Sequence, residues 1–449
     1  MSKLSDKTTA SSWSNSEIFL FRLFALYFII QALPIDGQFF QQLFSLTQHK
    51  LQYNDIFNLA HYSPRFFAGA DSFANWGIVL LIALAGALIW TNYDKDKAEY
   101  NKLYYWVRVI VRYRLAIAII AYGFIKFFPI QAPFPSISNL NTNYGDFNRW
   151  KLFSLSLGIV PNYQSFLGLV EIITGVLLLF RRTATIGAFI IAIFTGNVFM
   201  SNLGYEGGEH IYSFYLIGFA LFLVVFDLQR ITSLLVLQKP TLPNNFKPRF
   251  TMKWQRYARL AVKSFVIFFF VIVYGFKTRS GLHNGLTLYP QAKGLTGAAG
   301  IYNVAEFKLN NNIIPYSKTD PLRWQDVVFE KWNTISIKSN RPVIIDSSNI
   351  TKISANDQER SYELEGSAER HYYSYKADTV NHILTLQNRN KNYPNELLVL
   401  HYENRGDKGF ILSGTNENKD SLYVVLDKIN KKYLIEEAAK LGRRSRLKL

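Results

Sequence analysis

The sequence predicts a multi-pass α-helical membrane bundle of about seven spans, followed by an all-β, sandwich-like extracytoplasmic domain. Three observations carry this. Long apolar segments fill the first two thirds of the 449 residues and stop near Ser280. Basic residues gather in alternate loops between those segments. Beyond Ser280, short alternating runs recur at roughly ten-residue spacing, separated by Asn, Asp, Gly and Ser clusters. The mean hydropathy of +0.03 averages an apolar part with a polar one.

A spanning helix needs about 20 largely apolar residues. Seven segments qualify, near 17–33, 73–90, 107–128, 163–180, 184–203, 210–226 and 258–276. The third carries Arg108, Arg112 and Arg114 in its first turns. The loops then assign direction, because short cytoplasmic loops are enriched in Lys and Arg. The loop into those arginines, the Arg181-Arg182 hinge and the stretch from Leu228 to Arg259 all fall on one face. The longer, less basic loops 34–72 and 129–162 fall on the other. Residues 1–16 read as a polar cytoplasmic N-terminus rather than a cleaved signal, because they are polar for longer than an n-region. Seven spans from that side place the C-terminal third in the periplasm of a bacterial inner membrane. The net charge of +18 is then a matter of topology and not of nucleic-acid binding.

The β-patterned runs are 327–337, 342–345, 372–375, 382–386, 397–402, 409–412 and 421–426. The segments SLYVVLD and KKYLIEE read as a terminal hairpin within a β-rich domain over 280–439, with a basic, solvated tail over 440–449. His371, His382 and His401 lie on different runs without metal-ligand spacing and read as ordinary strand residues. The domain looks like a docking module for protein partners.

Ionisable groups inside spans cost about 2.5–3.5 kcal/mol each on insertion scales, so they mark where function is sought. Lys126 lies twelve residues past Arg114, about 18 Å into the core, just before Pro129. It either snorkels to an aromatic interface or faces the bundle. Glu171, about 12 Å deep among apolar neighbours, is too short to snorkel and needs a partner or water. A Lys126–Glu171 pair satisfies both. Asn197 and Ser201, at i and i+4, share a face of the fifth segment, as ligand contacts or interhelical hydrogen bonds. Glu206, Glu209 and His210 stand on the outer rim as a solvated loop, a proton relay or a metal site. Arg22 either snorkels or pairs across helices. Together they suggest an outward pocket between the third, fourth and fifth spans.

The chain has no cysteine, which excludes thiol nucleophiles and iron–sulfur ligation. Only His210 of the seven histidines falls beside a predicted span, so a bis-histidine haem is not expected. Neither a Walker A sequence nor a nucleophile elbow occurs.

At Tyr122-Gly-Phe-Ile-Lys126, at Phe166-Leu-Gly-Leu-Val-Glu171 through Arg181-Arg182-Thr183, and at Gly196-Asn-Val-Phe-Met200, the chain resembles the DoxX-like membrane proteins. It is also similar there to the related transmembrane (HTTM) domain of vitamin K-dependent gamma-carboxylases. An arginine early in the first span, as Arg22 is here, belongs to the same pattern. The resemblance covers about half the chain, from Ser16 to Arg230. It implies a helical membrane domain with a quinone-like or isoprenoid lipid ligand, for which the polar groups of the outward pocket and its rim, Tyr122, Lys126, Glu171, Asn197, Ser201 and His210, are the candidate contacts. It also implies a general-base role for Lys126 on a quinol-type substrate, with Glu171 beside it. Two functions follow as expectations: a membrane subunit presenting its β-domain to an envelope complex, or a membrane enzyme or redox-complex component.

Overall fold

The computed structural model describes residues 13–47, 50–66, 72–95, 99–242, 248, 252–283, 289–345 and 362–441. Residues 442–449 of the basic tail, and 1–12 of the polar N-terminus, lie outside them. The chain divides into two compact units. One comprises Met1–Phe124, Gly168–Leu203 and Glu209–Thr278; the other comprises Ile125–Leu167, Gly204–Gly208 and Arg279–Leu449.

The helices are α1 (Asn15–Ala32), α2 (Gly37–Ser45), α3 (Tyr53–Ala60), α4 (Phe73–Tyr93), α5 (Asn101–Phe127), α6 (Ile137–Leu140) and α7 (Arg149–Gly158). They continue with α8 (Pro161–Leu178), α9 (Ala184–Gly204), α10 (His210–Val225), α11 (Leu228–Leu235), α12 (Lys253–Ile267), α13 (Tyr274–His283) and α14 (Leu434–Leu441). A π-helical stretch, Phe268–Val273, joins α12 to α13. Ser14 opens α1 with a capping box, its hydroxyl accepting from the Glu17 amide while Glu17 accepts from the Ser14 amide.

Among the described residues, four stretches are long and apolar enough to cross a membrane: Asn15–Ser45, Phe73–Tyr93, Ala184–Gly204 and Lys253–His283. A fifth is added if α10 and α11, bent by 69°, count as one span. This corrects the expectation of seven. Helices do form at the third and fourth predicted spans, as α5 and α8. However, α5 carries Arg108, Arg112, Arg114 and Lys126, and α8 opens on Pro161-Asn-Tyr-Gln-Ser. Their polar content keeps both from being apolar for a full span. On α4 the large residues Leu81, Leu88 and Ile89 face outward, more than half exposed. That is the reverse of a soluble fold and suits hydrocarbon.

The second unit corrects the sandwich expectation. Its strands are β1 (Gly300–Leu309), β2 (Asn312–Ile313), β3 (Trp324–Phe329), β4 (Thr334–Ser339) and β5 (Arg370–Asp378). Then follow β6 (Ile383–Asn388), β7 (Leu397–Asn404), β8 (Gly409–Thr415) and β9 (Ser421–Ile429). Every neighbouring pair is antiparallel, and β1 pairs with β9 from Ile301↔Ile429 to Leu309↔Leu422. That pairing closes eight strands into a barrel and leaves no free edge, with β2 a two-residue ribbon on β1. Asn310 and Asn311 make the β1–β2 turn at φ 51° and 63°, the mirror-image turn that asparagine tolerates. Inward positions alternate along β7 and β9. Inward side chains from β1, β3, β7, β8 and β9 fill the interior, among them Tyr302, Phe307, Phe329, Leu400, Phe410 and Leu426.

Three strand expectations change. The run 327–337 is a hairpin, β3 and β4, turning at 330–333. Residues 342–345 form no strand, and β1 was unforeseen. The terminal hairpin is absent: β9 pairs with β1 and β8, while KKYLIEE leads into α14.

Candidate functional site

In the helical unit, polar groups from three separate elements meet. Helix α3 is a short amphipathic helix that buries Tyr53, Ile56, Phe57 and Ala60. His61 ends it as C-cap, its amide donating to the Phe57 carbonyl at 2.8 Å. Beneath this chain reversal lies Arg114 of α5, only 8% exposed. Its guanidinium donates to the carbonyls of Ala60 (2.6 Å) and Tyr62, and to the Tyr212 hydroxyl at 3.1 Å. Tyr212 in turn donates to the Ala60 carbonyl at 3.3 Å. A planar guanidinium matches several carbonyls at once in a way that a lysine ammonium does not. The backbone on both sides of His61 is thereby clamped.

Glu209 is the N-cap residue of α10, but its side chain makes no cap bond. It accepts instead from the Tyr122 hydroxyl of α5 at 2.8 Å and lies 3.2 Å from His61 Nε2. The His61 ring stands 3.9 Å, centroid to centroid, from Tyr212 and stacks on Phe57 at 5.7 Å. Phe57 meets Tyr122 edge to face at 5.2 Å. The His61 and Glu209 side chains remain 17% and 18% exposed. In the tautomer that carries its proton on Nε2, His61 donates to the Glu209 carboxylate and leaves Nδ1 as an acceptor. The result is a phenol and an imidazole meeting on one carboxylate within aromatic walls.

Of the residues singled out from sequence, Tyr122 belongs to this centre. Glu171 is buried in α8 at 4% exposure. Lys126 is half-buried in the last turn of α5 and falls in the other compact unit. Asn197 is exposed, and Ser201 donates back along its own helix to the Asn197 carbonyl at 2.9 Å. The His210 ring lies 6.4 Å from Phe73. Glu206, at φ 58°, makes a surface ion pair with Arg149 at 3.3 Å, both side chains about two-thirds exposed. Among the described residues no group of three His, Asp or Glu is arranged to hold a metal. Arg22 takes the cross-helix alternative, donating to the Tyr100 hydroxyl (2.7 Å) and Thr91 (3.0 Å) while 3% exposed.

His61 is the residue that sequence reasoning missed, and it corrects the statement that only His210 adjoins the helical part. The signal was present: Tyr53, Ile56, Phe57 and Ala60 sit at helical spacing within a stretch read as an outer loop.

The barrel unit has a second buried polar cluster. Glu330, 1% exposed, accepts from the Ser138 amide (2.7 Å) and hydroxyl (2.6 Å) at the start of α6. Burial, then the nearby Glu363 carboxylate, push it up to about 7. Glu363 pairs with Arg389 and accepts from the Trp332 indole. Lys151 of α7, fully buried, donates to the Tyr362 carbonyl and lies 3.6 Å over the Tyr362 ring. Burial brings it down to about 7, against the pull of Glu365 and Glu363. These bonds fasten residues 125–167 to the strands, which is a structural role. His371 is more than an ordinary strand residue. It is 3% exposed and touches Arg341, which also pairs with Glu396 at 2.9 Å.

Compared with protein-family models, curated proteins and solved structures, the chain matches none.

Proposed function

We propose that the chain is an integral membrane protein of a bacterial envelope whose helical unit binds a quinone-like or isoprenoid ligand at the His61–Tyr122–Glu209 centre. The observation that carries this is the convergence of a phenol and an imidazole on one carboxylate inside aromatic walls. A hydroxyl-bearing ring would exchange hydrogen bonds with Glu209 and His61 while its faces pack on Phe57 and Tyr212. The similarity of the Tyr122–Lys126 segment to DoxX-like and carboxylase-type proteins points the same way.

In this reading the N-terminus is cytoplasmic. The barrel then lies in the periplasm and docks the chain to partners in an envelope complex. A second reading makes the protein an enzyme with Lys126 as general base. It is favoured by Lys126 lying in the last turn of the helix that carries Tyr122.

Mass spectrometry of lipids extracted from the purified full-length protein tests the proposal. Wild type should carry an isoprenoid with a quinone-like head group. Hydrogen bonds to charged groups are worth about 1.5–3 kcal/mol, so Tyr122→Phe and Glu209→Gln should retain less than about a tenth as much at unchanged thermal stability. An empty wild type, or equal ligand in all three proteins, would refute it.

A further inference from the structure

A cavity of about 980 Å³ opens in the helical unit where α5 begins and α8 ends. Arg112 on its wall and Tyr122 of the first site are ten residues apart on α5, about 15 Å along the axis. Among the described residues that line it are seven cations and one carboxylate. Arg108 and Arg112 come from α5, and Arg181 and Arg182 from the turn before α9. Arg230 comes from α11, and Arg259 and Lys263 from α12. The carboxylate is Asp227, already engaged at 2.8 Å by Arg230 and at 3.8 Å by Arg108.

Cations at helix ends arise from the topological charge bias alone, normally as solvated side chains. Two features set these apart. Aromatic faces hold them in place: Arg108 lies 3.4 Å over Phe226 and Lys263 lies 3.7 Å over Phe180. In addition, the Nε groups of Arg108, Arg112 and Arg230 are buried with no hydrogen-bond acceptor among the described residues. A buried donor without an acceptor costs about 1–3 kcal/mol, more when charged. A cavity of converging guanidinium groups with apolar walls fits a tetrahedral oxyanion on an apolar body.

We propose that this cavity binds a phosphate-bearing ligand, an anionic lipid headgroup or a free phosphate compound, through Arg108, Arg112, Arg230 and Lys263. It is separate from the His61–Tyr122–Glu209 centre and holds whether or not that centre binds a quinone.

The test is native mass spectrometry of the full-length protein with phosphatidylglycerol or phosphatidylethanolamine, together with thermal melting in inorganic phosphate. Phosphatidylglycerol should be retained at least about tenfold better than phosphatidylethanolamine. A cation beside an anionic headgroup is worth about fivefold in affinity, so the double variant Arg112→Gln/Lys263→Gln should lose about thirtyfold. The exposed Lys239→Gln/Lys253→Gln pair, which removes equal charge outside the cavity, should change it less than about twofold. If the first double variant misfolds, Lys263→Gln alone, at a half-buried position, should still show the fivefold loss. Selective phosphatidylglycerol retention identifies a lipid site. Stabilisation by inorganic phosphate, lost in the cavity variant, identifies a soluble ligand. Equal retention of the two lipids without stabilisation by phosphate, or equal losses in cavity and control variants, would overturn the proposal.

Discussion

Acidification should weaken the barrel through His371. This side chain lies in β5, and burial is the main cause that pushes its imidazole down to about 4, with the Arg341 guanidinium adding to the effect. Glu396 pulls the other way and does not overcome them. An unfolded histidine takes its proton near 6.5. Between about 4 and 6.5 the unfolded chain therefore binds the extra proton and the folded barrel does not. Stability from this group is full above 6.5 and is lost as the pH falls towards 4. At about 1.4 kcal/mol per pH unit, that interval is worth about 3 kcal/mol. Glu396 sits below its ordinary value because Arg341, Tyr373 and Asn388 hydrogen-bond it against the effect of burial, so its own loss comes lower in the window. The assay is hydrogen exchange on peptides from β5 to β7 in the full-length protein, corrected for intrinsic rates, for wild type and His371→Gln. Wild type should lose about 3 kcal/mol more than the variant between pH 6.5 and 4. Parallel pH profiles would refute the argument.

Two further outcomes are expected. Gly414→Ala places a methyl group against the Val399 carbonyl in the β7–β8 ladder, so the barrel should lose about 1–3 kcal/mol in denaturant unfolding at unchanged helical content. Arg114→Lys keeps the charge but loses the fork that serves the Ala60 and Tyr62 carbonyls. Hydrogen-exchange protection of residues 57–64 should fall by about 2 kcal/mol, and the variant should lose its copurifying ligand although Arg114 is no ligand contact itself.

What was legible in the sequence was local. Apolar runs such as 73–90 and 184–203 became α4 and α9 because a spanning helix satisfies its own backbone, and length with composition is enough to reveal it. The alternation along 397–402 and 421–426 became β7 and β9 for the same reason of short-range period. Pairing between distant segments was not legible. Barrel closure depends on β1 meeting β9, more than a hundred residues away, and a strand's alternation is identical in a sandwich and in a barrel. The hairpin within 327–337 was hidden because Trp332 and Asn333 interrupt the pattern by only a few residues.

The candidate site divides in the same way. Tyr122 was visible as a polar group in an apolar run, and Arg22 and Glu171 were flagged by the cost of charge in such surroundings. His61 drew no attention, because the carboxylate that meets its ring nitrogen lies 148 positions away in sequence. Glu209 and Tyr122 reach it from two other helices. Arg114 looked like an edge residue for the same reason, since its acceptors at Ala60 and Tyr62 lie more than fifty positions earlier. By itself the sequence determined the apolar helices and the β-rich C-terminal third, because those follow from periodicity and solvation along the chain. Tertiary structure alone decided the closure of the barrel and the meeting of His61, Tyr122 and Glu209. Both require groups far apart in sequence to satisfy one another's hydrogen bonds once water is excluded.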